Sequence, residues 1–387
     1  MTIKWGLNSA LVVSHVVYRP LAPFDAIEGP YSSVCEALTA SGLSVTSLFL
    51  PLNGYESPIL WGLWKKENRV KIPTFLGKVS FIKYLLDVLL ITAFTFHYCY
   101  LEGQQRKVLI VGVDPLSCLP LAILRKLANY RLIFYSVDFN QNRFKNRILQ
   151  SLYQTADRLS SQLSDQVWVV CEALQDYKKE KYSVSSRYIP NSTIFDPVIF
   201  DKGKPLKTSH KLAWSGAFLT ARTYDMFFDL LKEILSIRPD LEFYLAPTRE
   251  HDTFEGYVKR YNFVNTRVLH LTSRRQWQEF ATTCDVGIAV YDDWFGSTEY
   301  IEPLKIWDYL LCGLPFIISS EPSLSGAIRK SGVAYLLAPH NKIADQKSLK
   351  FFLDPNNLKS REQSCLELAR EYDIQKQIKQ ALQSVDS

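Results

Sequence analysis

The sequence predicts an α/β protein of two doubly wound, parallel-sheet domains of similar size. The chain has 387 residues, enough for two domains. Short apolar runs alternate with helical patterns almost throughout, as in βαβ units. The alternation halts once, at Pro190-Asn-Ser-Thr-Ile-Phe-Asp-Pro197 and Lys202-Gly-Lys-Pro205, which have linker chemistry, and then restarts.

In the first half, strands are predicted over Lys4–Val13, Leu43–Leu50, Lys107–Val113, Arg131–Val137, Gln166–Val170 and Ser186–Ile189. Helices are predicted over Tyr31–Ala40, Leu119–Leu127, Arg143–Leu163 and Glu172–Lys181. Pro51–Gly77 fits neither period and reads as an irregular excursion. It carries Trp61 and Trp64 with Lys65, Lys66, Arg69 and Lys71, either a contact for an acceptor or membrane or an ordinary solvated loop. Phe81–Leu101 is greasy, but Lys83, Asp87 and His97 interrupt it, which predicts a buried or surface-docking helix rather than a bilayer span.

The second half opens with a strand at Leu212–Trp214 ending on Gly216. A helix from Asp225 follows, with Phe227, Phe228, Leu231, Ile234 and Leu235 on one face. Further strands are expected at Leu241–Ala246, Val268–Thr272, Val286–Tyr291, Leu314–Ser319 and Val333–Leu337. Helices are expected at Gln276–Thr283, Pro303–Leu311 and Ser323–Lys330, with a polar one over about Ser360–Gln383.

Composition narrows the function. The first 190 residues hold 21 Lys and Arg against 14 Asp and Glu, the remainder 24 against 25, so the excess of positive charge lies wholly in the first half. Such a half suits phosphates or an anionic membrane surface. No run of five basic residues and no nucleic-acid motif occurs, so nucleic acid is not expected as a partner. Seven scattered cysteines without a Cys-x-x-Cys suit a reducing, cytoplasmic compartment and argue against a disulfide framework or a zinc site. The N-terminus reads as a first strand, not a signal peptide. No Walker motif, G-x-G-x-x-G, Asp-x-Asp metal motif or Ser-His-Asp arrangement stands out, and no metal is expected.

The stretch Tyr291–Ser319 carries the chemistry. It reads as strand, polar loop, helix, turn, strand, with Pro303 suited to the first helical turn and Gly313 to the stop. Ser297 and Thr298 lead toward the helix start, where free N–H groups and the positive helix end attract a diphosphate. Lys305 lies in the first turn and could reach a phosphate. Asp308, three residues on, shares that helix face and could accept from both hydroxyls of a ribose. A surface Lys305–Asp308 ion pair beside a core helix would show the same spacing.

Pro303-Leu-Lys-Ile-Trp-Asp-Tyr-Leu-Leu-Cys-Gly-Leu-Pro-Phe316 resembles the P-x-K-[LI]-[WY]-E-Y-x-A-x-G-x-P-V element of bacterial GT-B glycosyltransferases of the family 4-like, group 1 type. Leu212-Ala-Trp-Ser-Gly-Ala-Phe218 resembles the strand and glycine opening their donor domain. Ser164-Asp-Gln-Val-Trp-Val-Val-Cys-Glu-Ala-Leu174 and Arg187-Tyr-Ile-Pro-Asn-Ser192 resemble two further runs. The resemblance implies two Rossmann-like domains facing across a cleft: an acceptor domain over 1–195, a linker over 196–205 and a donor domain over 206–387, whose last helix can pack back on the first.

It also implies site roles. Lys305 would bind the donor diphosphate, Asp308 the ribose, and Gly216 would admit the phosphates to the backbone. Arg222 would be a second phosphate contact, and Ser297, Thr298 and Glu302 would complete the donor site. The donor would be a UDP- or GDP-sugar, with no cofactor. The acceptor would be a glycan or lipid-linked intermediate of surface polysaccharide, met by a protein peripheral on the inner membrane face. Asp308 stands where the family has Glu, and Tyr300 where the retaining branch has its first Glu, with Glu299 and Glu302 nearby. Glu28-Gly29-Pro30 replaces the usual Gly-Gly, Cys171 the usual Ser and Ser192 the usual Gly.

An inverting course needs a base on the acceptor hydroxyl. Asp138, in Phe134-Tyr-Ser-Val-Asp-Phe139, is the first candidate. Its alternative role is a helix cap. His15, after the first strand, is the second. A sugar-nucleotide 2-epimerase and a non-catalytic nucleotide-sugar-binding relative are the competing readings.

Overall fold

The computed structural model describes residues 7–16, 29–52, 55, 57–73, 80–103, 107–137, 139–200, 210–218, 220–291, 298–320 and 322–383. The chain divides into two compact units. One comprises Met1–Ile194 with Ile374–Ser387, the other Phe195–Asp373.

The first unit runs β1 (Leu7–Val16), α1 (Pro30–Ala40), β2 (Ser44–Pro51), β3 (Ile59–Leu63), β4 (Asn68–Val70), α2 (Ser80–Gly103) and β5 (Lys107–Val113). It continues through α3 (Pro115–Leu124), β6 (Arg131–Ser136), α4 (Arg147–Leu163), β7 (Gln166–Val169), α5 (Glu172–Tyr182) and β8 (Arg187–Tyr188). These strands form one sheet in the order β4-β3-β2-β1-β5-β6-β7-β8. All neighbours pair in parallel except β2 with β3 and β3 with β4. In β1 and β5, Ala10–Val13 and Leu109–Val111 are wholly buried, as continuous apolar runs are when both sheet faces are covered.

The excursion expected over Pro51–Gly77 is, in its described part, an antiparallel hairpin of β3 and β4, with Leu48 opposite Trp61 and Trp61 opposite Asn68. The strands are five and three residues long, and every residue from Asn68 to Val70 is exposed, so no alternation marks them in the sequence.

The second unit runs α6 (Pro197–Phe200), β9 (His210–Gly216), α7 (Ala221–Ile237), β10 (Leu241–Pro247), α8 (His251–Arg260), β11 (Thr266–Val268), α9 (Arg274–Ala281) and β12 (Val286–Ala289). Then follow α10 (Leu304–Leu311), β13 (Phe316–Ile318), α11 (Gly326–Ser331), β14 (Ala334–Leu336), α12 (Gln346–Phe352) and α13 (Pro355–Glu371). Its six strands are parallel, in the order β11-β10-β9-β12-β13-β14. Counted from β9 that is 3-2-1-4-5-6, the doubly wound order, with the reversal between β9 and β12.

The expected polar C-terminal helix is two helices, broken at Tyr372-Asp373. Asp373 accepts from the Phe195 N–H at 2.5 Å. Beyond the break, α14 (Ile374–Gln383) belongs to the first unit. It buries Ile374, Ile378, Ala381 and Leu382, spaced at the helical period, and packs on α1.

Helix α10 sits close on its sheet because Gly287 leaves room. A Cβ there would lie 2.8 Å from the Tyr309 ring. The Tyr309 hydroxyl donates to the Ile288 carbonyl at 2.7 Å, so the helix is fixed on β12 by packing and by a hydrogen bond. Seven free cysteines occur, six of them buried as small core side chains.

Candidate functional site

In open parallel sheets, ligands bind beyond the carboxyl ends of the strands where the order reverses. In the second unit that point is reached by Gly216 at the end of β9, Tyr291 just past β12, and Lys305 in the first turn of α10. The Lys305 ammonium lies 5.3 Å from the Trp214 ring centroid and 5.2 Å from that of Tyr291. Two aromatic faces hold the cation, and among the described residues no carboxylate accepts from it. Burial lowers its pKa from the ordinary 10.5 to about 8. A half-buried cation with no counterion among the described residues suits an anionic ligand.

Gly216 completes the approach. Its φ of 140° lies where side chains are rarely tolerated, and a Cβ would stand 2.9 Å from Lys305 Nζ. The Gly216 carbonyl accepts from the Thr248 N–H at 2.8 Å, and Arg249 donates to the Phe218 carbonyl at 3.1 Å. Tyr291 is fixed by its N–H to Ser319 Oγ at 2.7 Å and by Asn341 Nδ2 to its carbonyl at 2.9 Å.

Asp308 does not pair with Lys305. Its Oδ1 accepts from Arg274 Nη2 at 2.7 Å, Arg274 Nε at 3.0 Å and Gln278 Nε2 at 2.8 Å, while Oδ2 accepts, among the described residues, from Arg274 Nε at 3.2 Å. The surface ion pair that the spacing allowed is therefore replaced by a clamp from α10 to α9, which leaves acceptor capacity on Oδ2.

Glu302 is turned into the core, 1% exposed, where it accepts from the Trp307 indole at 3.0 Å. A buried Trp N–H needs an acceptor, and Glu302 supplies it. Thr298 begins a short 3-10 turn, and its buried hydroxyl has no hydrogen-bond partner among the described residues. Arg222 is exposed in the first turn of α7, which Thr220 caps by accepting from the Thr223 N–H at 3.2 Å. Ser297 and Asp138 lie outside the described residues.

The corresponding reversal in the first unit, between β1 and β5, holds His15 and Asp114. His15 Nδ1 lies 3.3 Å from Asp114 Oδ2 and 2.8 Å from Ser117 Oγ, and Nε2 lies 3.2 Å from Asp87 Oδ2 on α2. Lys83 donates to Asp87 Oδ2 at 2.5 Å and Tyr55 to Oδ1 at 2.7 Å. Burial opposes charge on His15, but Asp114 and Asp87 outweigh it and raise its pKa to about 9. A carboxylate stands at each ring nitrogen, and both favour the charged ring. A base at His15 would have to release one of these partners.

Sequence reasoning missed Trp214, Tyr291, Arg249, Arg274 and Gln278. Trp214 sits inside the strand that ends on Gly216, so the period assigns it to the core. Arg274 lies 34 residues from Asp308, and no local spacing links the two.

No family model matches the sequence, and a search of curated proteins finds no match. Solved structures do match over nearly the whole chain. Sucrose-phosphate synthase from Thermosynechococcus elongatus is 15% identical, with a TM-score of 0.69, covering 98% of this chain and 99% of its own. WaaG, a glycosyltransferase involved in lipopolysaccharide biosynthesis, is 12% identical, with a TM-score of 0.59 and coverage of 97% and 99%. The catalytic domain of starch synthase IV from Arabidopsis thaliana, bound to ADP and acarbose, is 11% identical, with a TM-score of 0.59 and coverage of 98% and 100%. The chain has the GT-B fold.

Proposed function

We propose that this chain is a cytoplasmic glycosyltransferase that takes a sugar from a UDP- or GDP-sugar and adds it to a hydroxyl of a glycan or lipid-linked acceptor, in making a surface polysaccharide or glycoconjugate. The observation that carries the reading is the Lys305 ammonium beside Gly216 at the sheet's reversal, held by two aromatic rings and paired with no carboxylate among the described residues. The solved structures support it with the names they carry: a sucrose-phosphate synthase, a glycosyltransferase of lipopolysaccharide biosynthesis and an ADP-bound starch synthase.

In this reading Lys305 neutralises the donor diphosphate, and Gly216 lets it reach the backbone. Arg222, Ser297 and Thr298 add donors, and Oδ2 of Asp308 accepts from the ribose. The acceptor oxygen bonds to the anomeric carbon, the bond from that carbon to the phosphate oxygen breaks, and the nucleoside diphosphate departs. Basic side chains and N–H groups stabilise the charge on that leaving group, so the reading requires no metal. Asp138, two residues beyond β6, is the first candidate for the base and His15 the second.

A panel of UDP- and GDP-sugars, read first by thermal shift and then by transfer to glycan acceptors, tests this. One donor should raise the melting temperature of the wild type and not of Lys305→Ala. Asp138→Asn should keep that shift and slow transfer by about 100-fold or more. A donor consumed equally well without any acceptor would make the protein an epimerase, and binding without turnover a non-catalytic relative.

A further inference from the structure

Helix α2 is amphipathic the wrong way round for a soluble protein. Lys83 and Asp87 face inward: they are buried, paired with each other, and Asp87 is tied to Tyr55 and His15. Its outward face is apolar. Ile82, Leu85, Leu89, Phe96 and Tyr100 are 45–64% exposed and fall on one stripe at helical spacing. From Ile82 to Tyr100 that stripe holds no Asp, Glu, Lys or Arg. A single exposed Leu or Phe is ordinary, whereas a continuous stripe along five turns is a surface that water does not favour.

The stretch Ile82–Leu101 is long and apolar enough to cross a bilayer. Crossing would strip Asp87 from His15 and Tyr55 and carry the Lys83–Asp87 pair into hydrocarbon. The helix is therefore held flat on the first unit with its greasy side out. Beside it stands the β3–β4 hairpin, joined to the helix by Trp61 edge-on to Phe94 at 5.9 Å. The hairpin exposes Trp61, Leu63 and Val70 together with Lys65, Lys66, Arg69 and Lys71, against its own Glu67 and Glu36 of α1, which pairs with Lys65 at 3.3 Å. An apolar stripe flanked by an indole and a cluster of cations matches the acyl boundary and the anionic headgroups of a membrane leaflet.

We infer that the outward face of α2, with the β3–β4 hairpin, is a monotopic docking surface for a membrane rich in anionic lipid. The surface gives a partner to the positive excess of the first half of the chain. It stands independently of donor chemistry, so its failure would leave the sugar-transfer reading untouched.

Co-sedimentation of the full chain with vesicles tests it, using phosphatidylcholine alone and a 7:3 mixture, by design, of phosphatidylcholine with phosphatidylglycerol. The wild type should pellet with the anionic vesicles, less with neutral ones, and less again at high salt. Leu89→Gln with Phe96→Gln should weaken binding about tenfold or more. Lys66→Glu with Lys71→Glu should remove the preference for anionic lipid. These side chains are exposed, so both variants should keep the wild-type melting temperature and nucleotide binding. A wild type that pellets with neither vesicle overturns the inference. So does pelleting that the Gln pair leaves unchanged, or a wild-type dimer in light scattering that the Gln pair converts to monomer, which would make the face a contact between copies.

Discussion

At the scale of single residues, Lys305 is a cation that pairs with no carboxylate among the described residues. Its pKa, lowered by burial to about 8, means that the charged form is disfavoured in the free protein. The cost of holding that charge is fully present below about pH 8 and disappears as pH rises from there toward 10.5. Two outcomes follow. Nucleoside diphosphate affinity should fall as pH rises past about 8, because binding requires the ammonium, and isotherms from pH 7 to 10 would show it. Lys305→Met should bind nucleotide about 10- to 100-fold more weakly, yet melt no lower than the wild type at pH 7 without ligand.

His15 carries the opposite sign. Its pKa is raised, so the stability it contributes is fully present below its ordinary 6.5 and is lost as pH rises through about 9. His15→Gln should lower the melting temperature at pH 6 and flatten the decline between pH 6.5 and 9. Gly216→Ala would force a side chain to φ 140° and a Cβ against Lys305 Nζ. About 1–3 kcal/mol of stability and most nucleotide affinity should go with it.

At the scale of elements, α10 is the part that positions the site, and it is held on two sides. Gly287 admits Tyr309 to the sheet, and Asp308 fastens the helix to α9 through Arg274. Removing the guanidinium leaves a buried carboxylate with Gln278 as its remaining described partner. Arg274→Ala should therefore cost about 3 kcal/mol in a denaturant titration, more than Asp308→Asn, which removes the charge along with the clamp.

This helix was also the most legible element in the sequence. Pro303 and Gly313 bracket a clear helical period, and the resemblance fell on these residues. What the period could not say is where the carboxylate turns. Lys305 and Asp308 share a face by spacing, but their partners come from strands and helices distant in sequence. Glu302 shows the same limit. Nothing in its place near the helix start marks it as the acceptor of the buried Trp307 indole.

At the scale of the whole molecule, the doubly wound class was legible because a parallel sheet covered on both faces writes itself as uninterrupted apolar runs separated by helices. The strand order also follows from that class, and with it the place of Gly216 and Lys305 at the reversal. The β3–β4 hairpin was not legible, since an exposed edge of three to five residues leaves no alternation to read. Nor was the break at Tyr372-Asp373, where the polar sequence continues unchanged and only the packing of α14 on α1 marks the change of unit. Helix α2 shows how composition alone misleads. Lys83 and Asp87 argue against a bilayer span, but their inward ion pairs expose the apolar stripe.

The account rests on a diphosphate binding at Lys305. Calorimetric titration of the full chain with UDP and with GDP, at pH 7 and without acceptor, tests this most directly when repeated on Lys305→Ala. One of the two nucleotides should bind the wild type and bind the variant about 10- to 100-fold more weakly, as expected for the loss of a charge-assisted contact. Equal affinity in wild type and variant, or no binding of either nucleotide to the wild type, would contradict it.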